Sequence, residues 1–224
     1  MLSLRQLRAQ FPKLLLVDAA STLIQVGQLS RTAGDQWRNH EGEAGVGVFT
    51  PLTSDSSTDA FQSNAADAFL FCEGPGSVLG IRTAAVAFRV WQMLRVRPTF
   101  AYSSLALVAN FQLHAESHGP LPFTVIADAR RESWHCVHVG EDKVVSPLRR
   151  GNLDTIQGQP ISPQEFRHWS PLPSNTLRVR YDVKAFLAAL EDEKLFREVS
   201  GPDAFLHEEP TYVTWNPQIH RSAS

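Results

Sequence analysis

The sequence is short of several things, and each shortage excludes a class of protein. Two cysteines in 224 residues, Cys72 and Cys136, cannot build a disulfide framework, and neither belongs to a Cys-x-x-Cys pair. A reducing compartment is the simpler expectation. An excess of one charge is also missing. Lys+Arg total 21 and Asp+Glu 23, a formal net charge of −2, which excludes a dedicated basic nucleic-acid binder but not a local basic patch. No apolar run reaches the roughly 18–20 residues of a membrane helix. The opening segment is apolar only over Leu14–Val17 and meets Asp18 directly, too brief for a signal peptide. A soluble, cytoplasmic protein with no membrane contact is expected. Gly-x-Gly-x-x-Gly, Gly-Lys-Ser/Thr and Gly-x-Ser-x-Gly are all absent, so dinucleotide, P-loop and hydrolase-elbow readings fail. No short repeat is present.

What is there is a chain with 43% hydrophobic residues, enough for a sizeable core. Leu14–Val17 reads as a buried strand, Asp18-Ala19-Ala20-Ser21-Thr22 as a turn, and Leu23–Leu29 as an alternating strand, together an antiparallel hairpin. From Ser30 to Asp67 the chain is polar and Gly-rich and is expected to be mostly loop, with a short helix at 50–54 or 57–61. Ala68–Cys72 is a second buried strand, and a helix is expected from about Gly80 to Val96. Thr99–Tyr102 continues as strand, and Ser103-Ser104 cap a helix running toward Gly119. Phe123–Ala127 and Trp134–Val139 form a second hairpin around Asp128-Ala129-Arg130-Arg131. Ser162-Pro163-Gln164-Glu165 reads as a helix start, and Asp182 as the cap of an amphipathic helix bearing Val183, Phe186, Leu187, Leu190 and Leu195. The pattern is α/β in two lobes, 1–102 and 103–224.

The segment with most chemical content is Glu73-Gly74-Pro75-Gly76-Ser77-Val78-Leu79-Gly80-Ile81-Arg82, a strand–turn–helix junction. Its glycines allow close backbone approach, and amides at a helix start could cradle an anion on Gly74, Gly76, Ser77 and Gly80. The plainer reading is a structural turn.

Taken with Asp18-Ala19-Ala20-Ser21, Asp128-Ala129-Arg130-Arg131 and Glu209-Pro210-x-Tyr212, this run resembles the TsaB (YeaZ) family, a partner subunit in the bacterial threonylcarbamoyl-adenosine modification of tRNA. The resemblance implies a two-lobed ASKHA (actin- and hexokinase-like) fold, each lobe a mixed sheet with flanking helices. It implies a non-catalytic scaffold that binds a TsaD-like catalytic subunit through its N-terminal lobe. A TsaE-like ATPase joins the same assembly, tRNA is met only indirectly, and a homodimer is possible when the partner is absent. The interface candidates are Val46, Val48, Phe49, Leu52 and Arg82. By the same resemblance Asp18 is a candidate nucleotide- or phosphate-site residue, with ATP as the ligand. Its plainer role is a turn cap on the amides of Ser21 or Thr22.

The sequence also departs from the family. Glu43–Thr53 replaces a His-rich helix start, Val78 and Leu79 replace a phenylalanine and threonine in the loop, Ser133-Trp134-His135 replaces Glu-Val-Tyr, and Thr214 replaces an arginine. The chain reads as a divergent member.

Three rival readings are carried: a glycoprotease-like metallopeptidase, an ATP-binding ASKHA enzyme and a repurposed interaction module. His114 and His118 have the i, i+4 spacing of a zinc pair but lack a third ligand, so a solvated helix end is the plainer reading. No catalytic residue and no metal site are assigned. Arg82, Arg130 and Arg131 could line a basic surface, or Arg130 and Arg131 pair with Asp128 or Glu132. Arg149, Arg150, Arg178 and Arg180 read as solvated charge. Cys136 reads as a small buried hydrophobe.

Overall fold

A computed structural model describes residues 1–53, 65–114 and 120–204, the side chains of 50–53 excepted. Eleven strands and five helices are described, in two sheets. The chain opens with α1 (Leu4–Gln10), closed by a capping box between Ser3 and Gln6. It then enters β1 (Lys13–Asp18) and β2 (Leu23–Ser30), the expected antiparallel hairpin, with Val17 opposite Val26. Leu14–Val17 are all buried because β1 lies between β2 and a parallel neighbour, β4 (Ala68–Gly74). A strand covered on both faces reads as a continuous apolar run. Next to β4 stand β5 (Thr99–Ser103) and, at the edge, β11 (Arg197–Val199), which returns from the far end of the chain. With β3 (Gln36–Glu41) at its other edge, the first sheet has the order β11-β5-β4-β1-β2-β3.

The expectation of loop between 30 and 67 is corrected here. Gln36–Glu41 forms β3, an edge strand on β2, and Ala44–Thr53 forms a helix, α2. Gln-Trp-Arg-Asn-His-Glu carries no apolar alternation, since an edge strand needs only one covered face. α2 begins earlier than expected, and its Gly47 explains the local composition: a Cβ there would lie 2.3 Å from Ile24 Cδ1. Glycine lets the helix settle directly on β2. The 57–61 alternative lies outside the described residues.

α3 (Val78–Leu94) follows β4, capped by Ser77, whose Oγ accepts from the Gly80 amide at 3.2 Å. It buries Ile81, Ala84, Ala85, Phe88 and Trp91 on the first sheet, with Phe88 and Phe69 rings 4.9 Å apart. α4 (Ser104–His114) then passes between the lobes, packed on β4 and β5 and also on β6 (Phe123–Asp128) and β7 (Trp134–Val139). Apolar residues surround it on several faces, as a helix covered on both sides requires.

β6 and β7 form the second hairpin, with Asp128 opposite Trp134. β8 (Arg149–Gly151), β9 (Gln159–Pro163) and β10 (Leu177–Val179) complete a sheet of order β10-β9-β6-β7-β8. Ser162-Pro163 therefore does not open a helix. Both residues are buried in β9, opposite Arg178 and Val179, because pairing with β6 and β10 outweighs the local capping signal. α5 (Val183–Ala189) is capped by Asp182 as expected but stops at Leu190, and Leu195 packs from the segment beyond it. One buried cluster runs from Leu4 through both sheets to Ala204, so the lobes share a core.

Candidate functional site

Both hairpin turns, the glycine loop and the 166–169 segment converge on a cavity of about 370 Å³ between the lobes. One wall is built by Ala19–Thr22 and by Gly76, Ser77 and Gly80. The other is built by Asp128–Arg130, Arg167 and Trp169. Of the expected anion-site residues, Gly76, Ser77 and Gly80 line this cleft. Gly74 is buried behind it, and Asp18 points away.

The glycine loop is packed against the first hairpin. Ser77 N donates to Ala20 O at 2.7 Å, and Gly80 N to the Ser77 hydroxyl. A Cβ on Gly76 would lie 2.2 Å from Ala20 O, and one on Gly80 2.2 Å from Ala19 O. The glycines are needed for this backbone-on-backbone contact. The Ser77 amide is consumed by this contact, and the Gly80 amide by the Ser77 cap.

Asp18 is completely buried. Its Oδ1 accepts from Ala20 N at 3.0 Å, while Oδ2 accepts from the hydroxyls of Tyr102 at 2.6 Å and Tyr181 at 2.7 Å. This is a turn cap, on Ala20 rather than on Ser21 or Thr22, with a second role in the core. Burial pushes both tyrosine hydroxyls well above their ordinary range, and the Asp18 charge pushes them further. Cys72, 4.0 Å from the Tyr181 hydroxyl, is raised the same way. Tyr181 belongs to the far lobe, and Gln25 ties it further, donating to Tyr181 O and accepting from Val183 N, both at 3.0 Å. Thr22 N and Oγ1 donate to Glu165 O at 2.9 and 3.1 Å, and Glu165 Oε2 accepts from Tyr181 N at 2.7 Å. The lobes are cross-braced beneath the cleft.

Asp128 sits at the matching place in the second hairpin. Oδ1 accepts from Arg130 N, and Oδ2 from Trp169 N and Ser170 N, all at 2.6 Å. Burial raises this carboxyl, but the backbone amides of Ser170, Arg130 and Trp169 outweigh it and hold the group below its ordinary range. The turn itself is strained: Arg130, Arg131 and Glu132 have φ of 65°, 52° and 58°, left-handed backbone that glycine would favour. Arg150 braces it, donating to Ser133 Oγ at 2.9 Å and Ala129 O at 3.2 Å. Arg150 is therefore not plain solvated charge, and neither is Arg178, which donates to Pro163 O and Gln164 O. The Arg130 guanidinium does not pair with Asp128; it lies 5.8 Å over the Trp169 ring.

A cavity of about 390 Å³ along β11 is lined by Glu73 and Arg197, which pair with each other at 2.6 Å. The other expected features are placed elsewhere. Val48 is wholly buried, a core residue rather than an interface one, because it faces inward from α2. Val46 and Phe49 are exposed, as is Arg82, and the Leu52 side chain lies outside the described residues. His114 lies 2.9 Å from Asn110 O and 3.0 Å from Glu193 Oε1. His118 and 208–224 fall outside the described residues. Among the described residues no three His, Cys, Asp or Glu side chains are grouped to hold a metal. Cys136 packs with Ile126 and Trp134, and burial pushes its thiol up to about 11.

One feature had a signal in the sequence that composition concealed. On α3 the residues Leu79, Val86, Val90 and Met93 fall on a 7-4-3 spacing and are all exposed, 86% in the case of Met93. They face away from the buried stripe. α2 packs alongside, with Phe49 and Trp91 rings 6.3 Å apart, and contributes Val46.

Two mixed sheets with flanking helices, cleft between them, are the ASKHA arrangement of actin- and hexokinase-like proteins. Within that class the fold is shared with YeaZ from Pseudomonas aeruginosa, at a TM-score of 0.51 and 20% identity over 67% of this chain and 75% of that one. It is shared too with an uncharacterized protein described as similar to peptidase YeaZ from Pseudomonas aeruginosa, at a TM-score of 0.54 and 17% identity over 79% of this chain and 89% of that one. At such identities the likeness is one of fold. No protein-family model matches the sequence, and no curated protein matches it.

Proposed function

We propose that this chain is a divergent TsaB-type subunit: a cytoplasmic, non-catalytic partner that binds a TsaD-like protein and supports transfer of a threonylcarbamoyl group to adenosine in tRNA. A TsaE-like ATPase belongs to the same assembly. The observation that carries the reading is the outer face of the N-terminal lobe. Leu79, Val86, Val90 and Met93 of α3 are exposed along one side of that helix, and Val46 and Phe49 are exposed on α2, which packs beside it. Apolar stripes of this kind on a soluble protein mark places where another chain sits. In a TsaB-type subunit that chain is the TsaD-like protein, or a second copy when the partner is absent. The YeaZ-like fold supports the reading, as do the Asp18, Gly74–Arg82 and Asp128 segments. The interface is then carried by α3 more than by α2.

Deletion of the gene with mass-spectrometric quantification of threonylcarbamoyl-adenosine in total tRNA tests the role. The modification is expected to fall severalfold and to return on complementation. An unchanged level would overturn the proposal.

A further inference from the structure

We propose that a cavity of about 270 Å³ between α1, the β2–β3 hairpin and α5 binds a small carboxylate with an apolar tail. It shares no lining residue with the inter-lobe cleft. Nor does it touch the exposed side of α3. α2 rests on Ile24, whereas Gly27 and Leu29 point to the opposite face of the first sheet, where this cavity lies. The site and the subunit role are independent, and either can fail without the other.

Its walls are apolar. Leu4 of α1, Leu29 of β2 and Leu187 of α5 line it, with Trp37 of β3. The sequence provides a seat for that indole. Gly27 stands opposite Trp37 across the hairpin, and a Cβ on Gly27 would lie 2.9 Å from two atoms of the ring. Glycine therefore lets the ring lie directly on β2. The volume falls just below that of sites for drug-sized ligands, which limits the occupant to a short tail.

The charges around the cavity do not cancel. Asp35 accepts from the Arg8 guanidinium at 2.6 Å and from Ser30 N at 3.2 Å. Glu191 lies 3.4 Å from Arg5 and 3.8 Å from Arg8. Both carboxylates of the lining are thus engaged with arginines. Lys184, on the α5 side, forms no ion pair or hydrogen bond among the described residues. Arg8 Nε is buried and has no hydrogen-bond acceptor, since Glu191 at 3.8 Å is too far away to serve. A buried N–H in this state marks a place where a further group supplies the acceptor.

A carboxylate supplies both the acceptor that Arg8 Nε lacks and the negative charge that Lys184 lacks. Its tail covers the indole and the leucines. A phosphate would strand oxygens against those leucines, and an amine would meet the like charge of Lys184.

Isothermal titration of the full chain at low salt with 4-methylpentanoate, its neutral amide and 3-methylbutylamine tests the site. The acid, with about eight heavy atoms, is expected to bind in the millimolar range or more tightly, and the amide and the amine at least about tenfold more weakly. Lys184→Glu should weaken the acid by about tenfold or more. Ala188→Trp, an exposed lining position, should block the cavity without touching a charge and abolish the binding. Both variants are expected to keep the melting temperature of the parent. The proposal is overturned if the acid does not bind at about 10 mM, if the amide or the amine binds as tightly, or if Lys184→Glu or Ala188→Trp leaves the affinity unchanged.

Discussion

The two hairpins begin alike and end differently. In each, an aspartate closes the first strand and its Oδ1 accepts the amide two residues on, Ala20 N for Asp18 and Arg130 N for Asp128. The second oxygen divides them. In Asp18 it accepts two tyrosine hydroxyls inside the core; in Asp128 it accepts two backbone amides at the cleft. The same local turn chemistry thus serves as an internal tie in one lobe and as a support for the cleft wall in the other. Two alanines follow Asp18 where Ala129, Arg130 and Arg131 follow Asp128, so only the second hairpin carries charge into the cleft.

The comparison is broken most severely at the buried aspartate. Asp18→Ala removes the carboxylate that accepts from the buried hydroxyls of Tyr102 and Tyr181, and each buried hydroxyl left unsatisfied costs about 1–3 kcal/mol. A loss of about 3 kcal/mol or more in denaturant unfolding is expected, and a loss below about 1 kcal/mol would contradict the tie. Asp128→Ala should cost less, about 1–2 kcal/mol, because water can reach the freed amides. Hydrogen exchange at Trp169 and Ser170 should rise in that variant.

The two sites also predict opposite pH limbs. The Tyr102 and Tyr181 hydroxyls are raised above 10.0, so their contribution is full below pH 10 and is lost as pH rises through the folded values. Asp128 is held below 3.8, so its contribution is present above that and is lost as pH falls through the folded value. Tyr181→Phe should flatten the alkaline limb alone, and Asp128→Asn the acid limb alone; stability measured against pH would show either.

The smallest effect is expected at the strained turn. Arg131→Gly removes the penalty of a left-handed side-chain-bearing residue, about 1 kcal/mol, against the extra freedom glycine has when unfolded. A net gain of about 0.5 kcal/mol is expected, and a loss would place an unseen contact on Arg131.

What the sequence revealed follows the same division. Central strands such as Leu14–Val17 and Ala68–Cys72 announced themselves because burial on both faces leaves an unbroken apolar run. β3 did not, because Gln36–Glu41 lies at an edge and needs no such run. Ser162-Pro163 misled because its capping signal is local, whereas it is held in the sheet by Arg178 and Val179 and by the pairing of the preceding Gln159–Ile161 with Phe123–Val125. At the site, the glycines were visible and their role was not: a Gly-rich turn looks alike whether it cradles an anion or receives another backbone. Arg150 and Arg178 looked solvated because they donate to backbone carbonyls and, for Arg150, to a serine hydroxyl as well, which composition never shows. The outer stripe of α3 has a helical spacing of its own, but Ile81, Ala84, Ala85, Phe88 and Trp91 carry a second stripe through the same segment, and spacing alone does not tell the covered face from the open one.

The central claim rests on that stripe, and co-purification with the TsaD-like protein of the same organism addresses it most directly. The account predicts a stable complex by size-exclusion chromatography with mass detection, lost in a Val86→Asp, Val90→Asp double variant that keeps its melting temperature. No complex at micromolar concentration, or a complex that the double variant leaves intact, would contradict it.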